Sequence, residues 1–326
     1  MARPRTRKEP VERLLLKISR LYFEEGKSMT EIARNLQISV THVGRLIREA
    51  QERGIVQISI RSPAFHDLEL ALVERYRLQD VRVVASSESE DVLRRDLGIR
   101  AADFFEEAVS EGARIGVGSG RTLFEMIQSV RERSRDISIF PLTTVAERGL
   151  NTRSISANTL ANILWFKSRP SASAYTLSLC LPDCSAQEIA QYLRSLRHKP
   201  SIDAFCRSLQ ELDFYFFSAS HLRPDSELIE LAETTGKDID TLRRMGITGD
   251  YLFNTIDANG EDLPCGVEAY LINLALVKLQ KLSQDAQCQT ILIAGGQEKV
   301  EIIRAGLSSR LFKILITDDR SARSLL

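Results

Sequence analysis

Three short apolar runs, IGVG (115–118), TILIA (290–294) and KILIT (313–317), constrain this chain more than any other feature. None alternates strictly between apolar and polar residues, so both faces of the strands they predict should be covered, as in a mostly parallel sheet. Each run gives way to a turn and then to a helical period. The same alternation extends along the chain: a helix over 66–76, a strand at VRVVA (81–85), a helix over 91–110, the strand ARIGVG (113–118), a helix from Arg121 and the strand ISIFPL (137–142). After a less regular middle it resumes with a long helix near 267–282, the strand TILIAGG, a helix over 298–307, the strand FKILIT and a closing helix over 321–326. The predicted fold class is α/β, with ligands expected beyond the carboxyl ends of the strands.

The first sixty residues follow another pattern. MARPRTRKEP leads into an amphipathic helix carrying Val11, Leu14, Leu15, Ile18, Leu21 and Tyr22. Ser28 and Glu31 then have the spacing of a capping box, and Ile32, Ala33 and Leu36 form the inner face of the helix it starts. Gln37 and Ile38 fill a turn, and Ser39 caps a second helix whose Val43, Leu46 and Ile47 pack on the first, with small Ala33 allowing a close crossing. This is helix-turn-helix spacing, and IVQISI (55–60) is predicted to follow it as a strand. The second helix presents Val40, Thr41, His42, Arg45 and Arg48 outward, which suits entry into a major groove. Ser39 lies at its leading end; Thr41, His42 and Arg45 are candidates for base edges, and Arg48, Lys27 and Arg34 for phosphates. A small helical bundle with solvated charges has the same local pattern.

Charge separates these readings. Residues 1–61 hold thirteen Lys or Arg against seven Glu, whereas the whole chain carries 44 of each sign, leaving 31 basic and 37 acidic residues in 62–326. A basic segment beside an acidic remainder is expected if only the first part meets a polyanion. The boundary is predicted at Arg61, Ser62 and Pro63, giving domains 1–61 and 62–326, the second long enough for a large core. No apolar run approaches the roughly 20 residues that span a bilayer, and no signal-peptide core is visible, so a cytoplasmic protein is expected. Five cysteines without a Cys-x-x-Cys pair read as reduced thiols, and the four histidines form no ligand-spaced cluster with them. The expectation is no metal, no cofactor and no catalytic triad.

Three loops at predicted strand ends carry the remaining chemistry. Gly118, Ser119, Gly120, Arg121 and Thr122 combine flexible backbone at a helix start with two hydroxyls and a guanidinium, an arrangement suited to an anion such as phosphate, or to a plain tight turn. This loop lacks a Gly-Lys-Ser/Thr signature, and Arg121 stands where Gly-x-Gly-x-x-Gly needs its last glycine, which disfavours a nucleotide. Gly295, Gly296 and Lys299 repeat the arrangement; Lys299 reads either as an anion contact or as a solvated side chain. Thr143 and Thr144 offer hydroxyls after ISIF, or simply favour the turn, and Asp250 suits either ligand hydroxyls or a cap.

Taken together, EIARNLQISVTHVGRLIREAQERGIV, GVGSGRTL and AGGQEKVEIIRAGLSSRLFKILITDDRSARSLL resemble the SorC family of bacterial transcriptional regulators over nearly the whole chain, with residues near 170–245 matching poorly. The resemblance implies a helix-turn-helix domain followed by an α/β effector domain similar to sugar-phosphate isomerases and deaminases. It implies a homodimer or homotetramer on double-stranded operator DNA, controlled by a phosphorylated sugar or polyol. It points to Gly118, Ser119, Gly120, Arg121 and Thr122, to Asp250 for ligand hydroxyls, and to Gly296 and Lys299 for the ligand's polar end. Two segments depart from the family pattern: Thr143 and Thr144 follow Pro141 and Leu142 where glycines are common, and Phe217-Ser218-Ala219-Ser220 replaces a Gly-Ile-Gly turn. The alternative from another class is an active sugar-phosphate isomerase or deaminase with a DNA-binding appendage.

Overall fold

A computed structural model describes residues 11–56, 65–145, 147–148, 155–181 and 185–326, and the chain divides into two compact units, Met1–Ser62 and Pro63–Leu326. In the first unit, a helix Val11–Ser19 runs into a π-helical turn Arg20–Glu24, followed by helices Met29–Leu36 and Val40–Glu52. Both expected caps form. Ser28 accepts the Glu31 amide while Glu31 accepts the Ser28 amide at 2.9 Å, and Ser39 accepts the His42 amide at 3.2 Å. Gln37 turns the chain with φ 54°, and the helices close on Leu15, Ile18, Ile32, Ala33, Val43, Leu46, Ile47 and Ala50. Ile55 and Val56 do not begin a strand: their amides bond back to the Ala50 carbonyl and their side chains pack on this core. The rest of the expected strand, 57–60, lies outside the described residues.

The second unit is built on a seven-stranded, wholly parallel sheet. Its spatial order is Asp80–Val84, Ile314–Asp318, Gln289–Ile293, Phe214–Phe217, Ala113–Val117, Ile137–Pro141 and Ser173–Ala174. Because successive strand residues face opposite ways, the apolar runs split between two cores. Tyr215, Phe217, Leu292 and Leu315 pack on one face; Phe214, Phe216, Ile291, Ile293, Ile314 and Ile316 pack on the other. This explains why the strands show no alternation: apolar neighbours wait on both sides. Chain order reverses between Ala113–Val117 and Phe214–Phe217, since the strand following each lies on opposite sides of that pair. Such a switch point opens a crevice beyond the strand ends.

Two expectations about this unit are corrected. The helix near 267–282 is interrupted: Val267–Tyr270 forms one 3-10 turn, Leu271–Asn273 is a strand, and only Leu276–Leu282 is α-helical. Leu271–Asn273 pairs antiparallel with Thr143–Val145, and this pairing also turns the expected Thr143–Thr144 loop into a strand. The irregular middle contains the central strand Phe214–Phe217 and a third core around Ile189, Leu193, Leu228, Ile229 and Val267.

Candidate functional site

The two units carry different kinds of site. On the helix Val40–Glu52, Val43, Leu46 and Ile47 are buried, leaving Thr41, Arg45 and Arg48 exposed and His42 partly exposed. Ser39 has its oxygen engaged by the His42 amide but stays at the surface. Arg34 is exposed on the preceding helix, and Lys27 makes an ion pair with Glu25 at 2.6 Å. Arg53 pairs with Glu49 at 2.6 Å on the far turn, whereas no ion pair engages Arg45 or Arg48 among the described residues. The face offers cations at an open helical surface, where Arg45 and Arg48 stand beside Glu49, Glu52 and Arg53.

In the second unit, a cavity of about 340 Å³ opens at the switch point. The turn after Ala113–Val117 contributes Ser119, Gly120, Arg121 and Thr122; the segment after Phe214–Phe217 contributes Ser218, Ala219, Ser220 and His221; the turn after Gln289–Ile293 contributes Gly295 and, one step on, Glu298 and Lys299. Gly120, at φ 108°, starts the helix Arg121–Ser129 with no side chain capping it, so the positive end of that helix faces the cavity. Asp250 enters from a small antiparallel sheet in which it pairs with Ser220.

The charged groups differ sharply in how they are compensated. Arg223 is held by Asp225 at 2.5 Å and by Glu90 at 3.3 Å; Glu90 also holds Arg94 at 3.1 Å, and Asp225 stands 3.9 Å from Arg121. Lys299 is partly buried and has no ion-pair partner among the described residues. Burial, together with the neighbouring Arg94 and Arg121 charges, brings its pKa down to about 8 against the pull of Glu298 and Glu90. Asp250 is 6% exposed. One of its oxygens accepts the Phe253 amide at 2.9 Å, the other is buried without a partner, and burial pushes its pKa up to about 7. The His221 Nδ1 is likewise buried and unpartnered, and burial lowers this imidazole's pKa. Unpartnered buried polar atoms in a cavity are places for ligand atoms.

Ser119, Gly120, Arg121, Thr122, Asp250 and Lys299 therefore share one cavity, and four other expected residues stand outside it. Gly118 is buried behind it, its amide donated to Phe216 at 2.8 Å. Thr143 and Thr144 are buried in their strand pair, away from the lining, and the Thr144 hydroxyl has no partner. Gly296 does not face a ligand with its amide, which is donated to Asp318 at 2.7 Å and Ser321 at 3.0 Å; its neighbour Gly295 lines the cavity instead. Arg94, His221 and Arg223 join the lining without having been singled out as site residues. They arrive from a helix face and from a strand and turn with no glycine signature, so no local signal marked them.

Residues 63–326 match the family described as "Putative sugar-binding domain". The chain belongs to this sugar-binding family. Whole-length relatives of the sugar-binding family member include the deoxyribonucleoside regulator of Bacillus subtilis (strain 168), 25% identical with 97% of each chain covered. They also include the sorbitol operon regulator of Klebsiella pneumoniae, 24% identical over 96% of this chain and 98% of the relative. The crystal structure of the full-length K. pneumoniae sorbitol operon regulator SorC has the same fold, with a TM-score of 0.71 at 22% identity, covering 98% of this chain and 99% of that one. The SorC-type resemblance read from the sequence agrees with the family match and the whole-length likeness.

Proposed function

We propose that this protein is a DNA-binding transcriptional regulator of carbohydrate genes whose operator affinity is set by a phosphorylated sugar or polyol in the switch-point cavity. The observation that carries the reading is the meeting, in one cavity, of an uncapped helix start at Gly120, the cations Arg121 and Lys299, and the unpartnered oxygen of Asp250. The first two attract an anion; the last takes a hydroxyl. A volume of about 340 Å³ is at the small end of ligand sites, the size of a small phosphorylated metabolite. The relatives' names, among them a sorbitol operon regulator and an erythritol catabolism regulatory protein, support the polyol and sugar class.

In this reading residues 1–61 meet double-stranded operator DNA, with Thr41, His42 and Arg45 on bases and Lys27, Arg34 and Arg48 on phosphates, and residues 62–326 bind the effector and assemble the chain as a homodimer or homotetramer. A dimer presents two recognition helices to an inverted repeat with half-sites a whole number of helical turns apart. No helix among the described residues is long and apolar enough to cross a membrane, consistent with a protein working in the cytoplasm beside its DNA. Regulation requires that the effector bind the DNA-competent and incompetent arrangements unequally. Arg121→Ala and Lys299→Ala should therefore abolish the effector response and leave operator binding intact; calorimetry showing unchanged ligand affinity in either well-folded variant rejects the assigned site.

A second reading, turnover of a sugar phosphate, is favoured by the shifted Asp250, Lys299 and His221 side chains around one cavity. Incubating the protein with a panel of sugar phosphates separates the readings: a sensor returns every one unchanged.

A further inference from the structure

The sequence feature KILITDD contributes a buried carboxylate that the proposed ligand site does not touch. Asp318 ends the strand Ile314–Asp318, is 1% exposed, and has no ion-pair partner among the described residues. Its oxygens are engaged by hydrogen bonds. One oxygen accepts the Ser321 amide at 3.0 Å, capping the helix Asp319–Leu325; the other accepts the Ser321 hydroxyl at 2.5 Å and the Gly296 amide at 2.7 Å. Gly296 in turn accepts the Lys299 amide through its carbonyl at 2.9 Å. A continuous line thus runs from the carboxylate through Gly296 to the backbone of the cavity lysine. The glycines fit this line. Gly296 sits at φ 99°, and a Cβ on Gly295 would stand 2.6 Å from the Asp318 oxygen, closer than side-chain carbons approach.

We infer that Asp318 is the positioning residue for Lys299: its carboxylate clamps the Gly295–Gly296 turn through the Gly296 amide and so fixes where the Lys299 ammonium stands in the cavity. The inference rests on the reading that Lys299 holds the anionic end of the ligand. A side chain as long as lysine has many rotamers, and one whose charge is desolvated needs its backbone fixed to meet an anion. An acceptor is required at the clamp. Asparagine retains one oxygen for the Ser321 amide and remains a good helix cap, but its NH2 group only donates and cannot accept the Gly296 amide as the second carboxylate oxygen does.

The test titrates the full chain with inorganic phosphate, followed by ³¹P NMR, for wild type, Lys299→Ala, Asp318→Asn and the double variant. Lys299→Ala is expected to weaken phosphate roughly tenfold, the order of a charge-assisted contact. Asp318→Asn should weaken it about three- to tenfold in the wild-type background and less than twofold in the Lys299→Ala background, because two residues acting through one contact are not additive. Paired with Arg121→Ala, which acts from the other turn, the Asp318→Asn factor should persist. Equal factors in both lysine backgrounds, or full affinity in Asp318→Asn while Lys299→Ala is impaired, overturns the inference. Unchanged binding in Lys299→Ala overturns instead the reading it rests on. Should Asp318→Asn fail to fold, Ser321→Ala removes one of the two Gly296 acceptors and keeps the carboxylate; a two- to threefold loss that vanishes with Lys299→Ala supports the clamp, and an unchanged affinity overturns it.

Discussion

Arg45 and Arg48 stand in water on the helix Val40–Glu52 of the N-terminal unit, while Lys299 stands in a cavity of the other unit with burial pulling its pKa to about 8. The same sign of charge is used in two ways. An exposed guanidinium is charged at every working pH and keeps a counterion atmosphere, so what it does to a polyanion depends on salt. A desolvated ammonium interacts strongly with an anion at close range but holds its proton less firmly, so what it does depends on pH. DNA binding should accordingly be governed by ionic strength and ligand binding by proton concentration.

The largest effect follows from salt. If a pair of N-terminal units sets Lys27, Arg34 and Arg48 on phosphates, operator affinity should fall about a thousandfold between 50 and 200 mM salt, as for roughly six phosphate contacts. Fluorescence anisotropy on operator DNA reads this directly, and a slope near zero would remove the phosphate contacts from the account. Next comes Arg45→Ala, expected to cost about 1 to 3 kcal/mol on the specific site as a lost bidentate base contact. Equal losses on specific and random DNA would reassign Arg45 to phosphate.

Smaller is the pH effect on the ligand. Lys299, with its pKa lowered to about 8, is a cation below that value and loses its proton as pH rises through it; Asp250, raised to about 7, gains a negative charge over the preceding unit. Both changes oppose an anion, and a phosphate has already completed most of its second ionisation above about pH 6. Affinity for a phosphorylated ligand should therefore drop about tenfold from pH 7 to pH 9, the size expected for one group titrating through its pKa. Calorimetry across that window checks it, with a flat profile counting against a cationic Lys299 at the ligand. Smallest of all is Thr143→Val, which should leave ligand affinity within about twofold because Thr143 lies in the Thr143–Val145 strand pair and outside the cavity, the range expected of a substitution with no partner in the site.

The same contrast explains what could be read from the residues alone. The helix-turn-helix is legible because its determinants are local: Ser28 and Glu31 satisfy each other's amides within one turn, and Val43, Leu46 and Ile47 recur on one helical face. The parallel sheet is legible because its strand cores are apolar on both faces. The features that the residues alone do not show depend on distant partners. Leu271–Asn273 has helical neighbours and becomes a strand only because Thr143–Val145 is there to pair with it. The two glycine turns look alike in sequence, yet Gly120 leaves a helix start facing the cavity while Gly296 donates its amide to Asp318. His221, Arg94 and Arg223 enter the cavity through topology, from segments far apart in the chain.

In the proposed function, a ligand in the cavity controls DNA binding by the other unit. The direct measurement is anisotropy of labelled operator with wild-type and Lys299→Ala protein while a panel of phosphorylated sugars and polyols, with their unphosphorylated counterparts, is titrated in. At least one phosphorylated compound should shift the operator Kd of wild type by tenfold or more, its unphosphorylated counterpart should not, and Lys299→Ala should bind operator normally yet no longer respond. An equal shift in the Lys299→Ala variant, or equal responses to the phosphorylated and unphosphorylated forms, would contradict it.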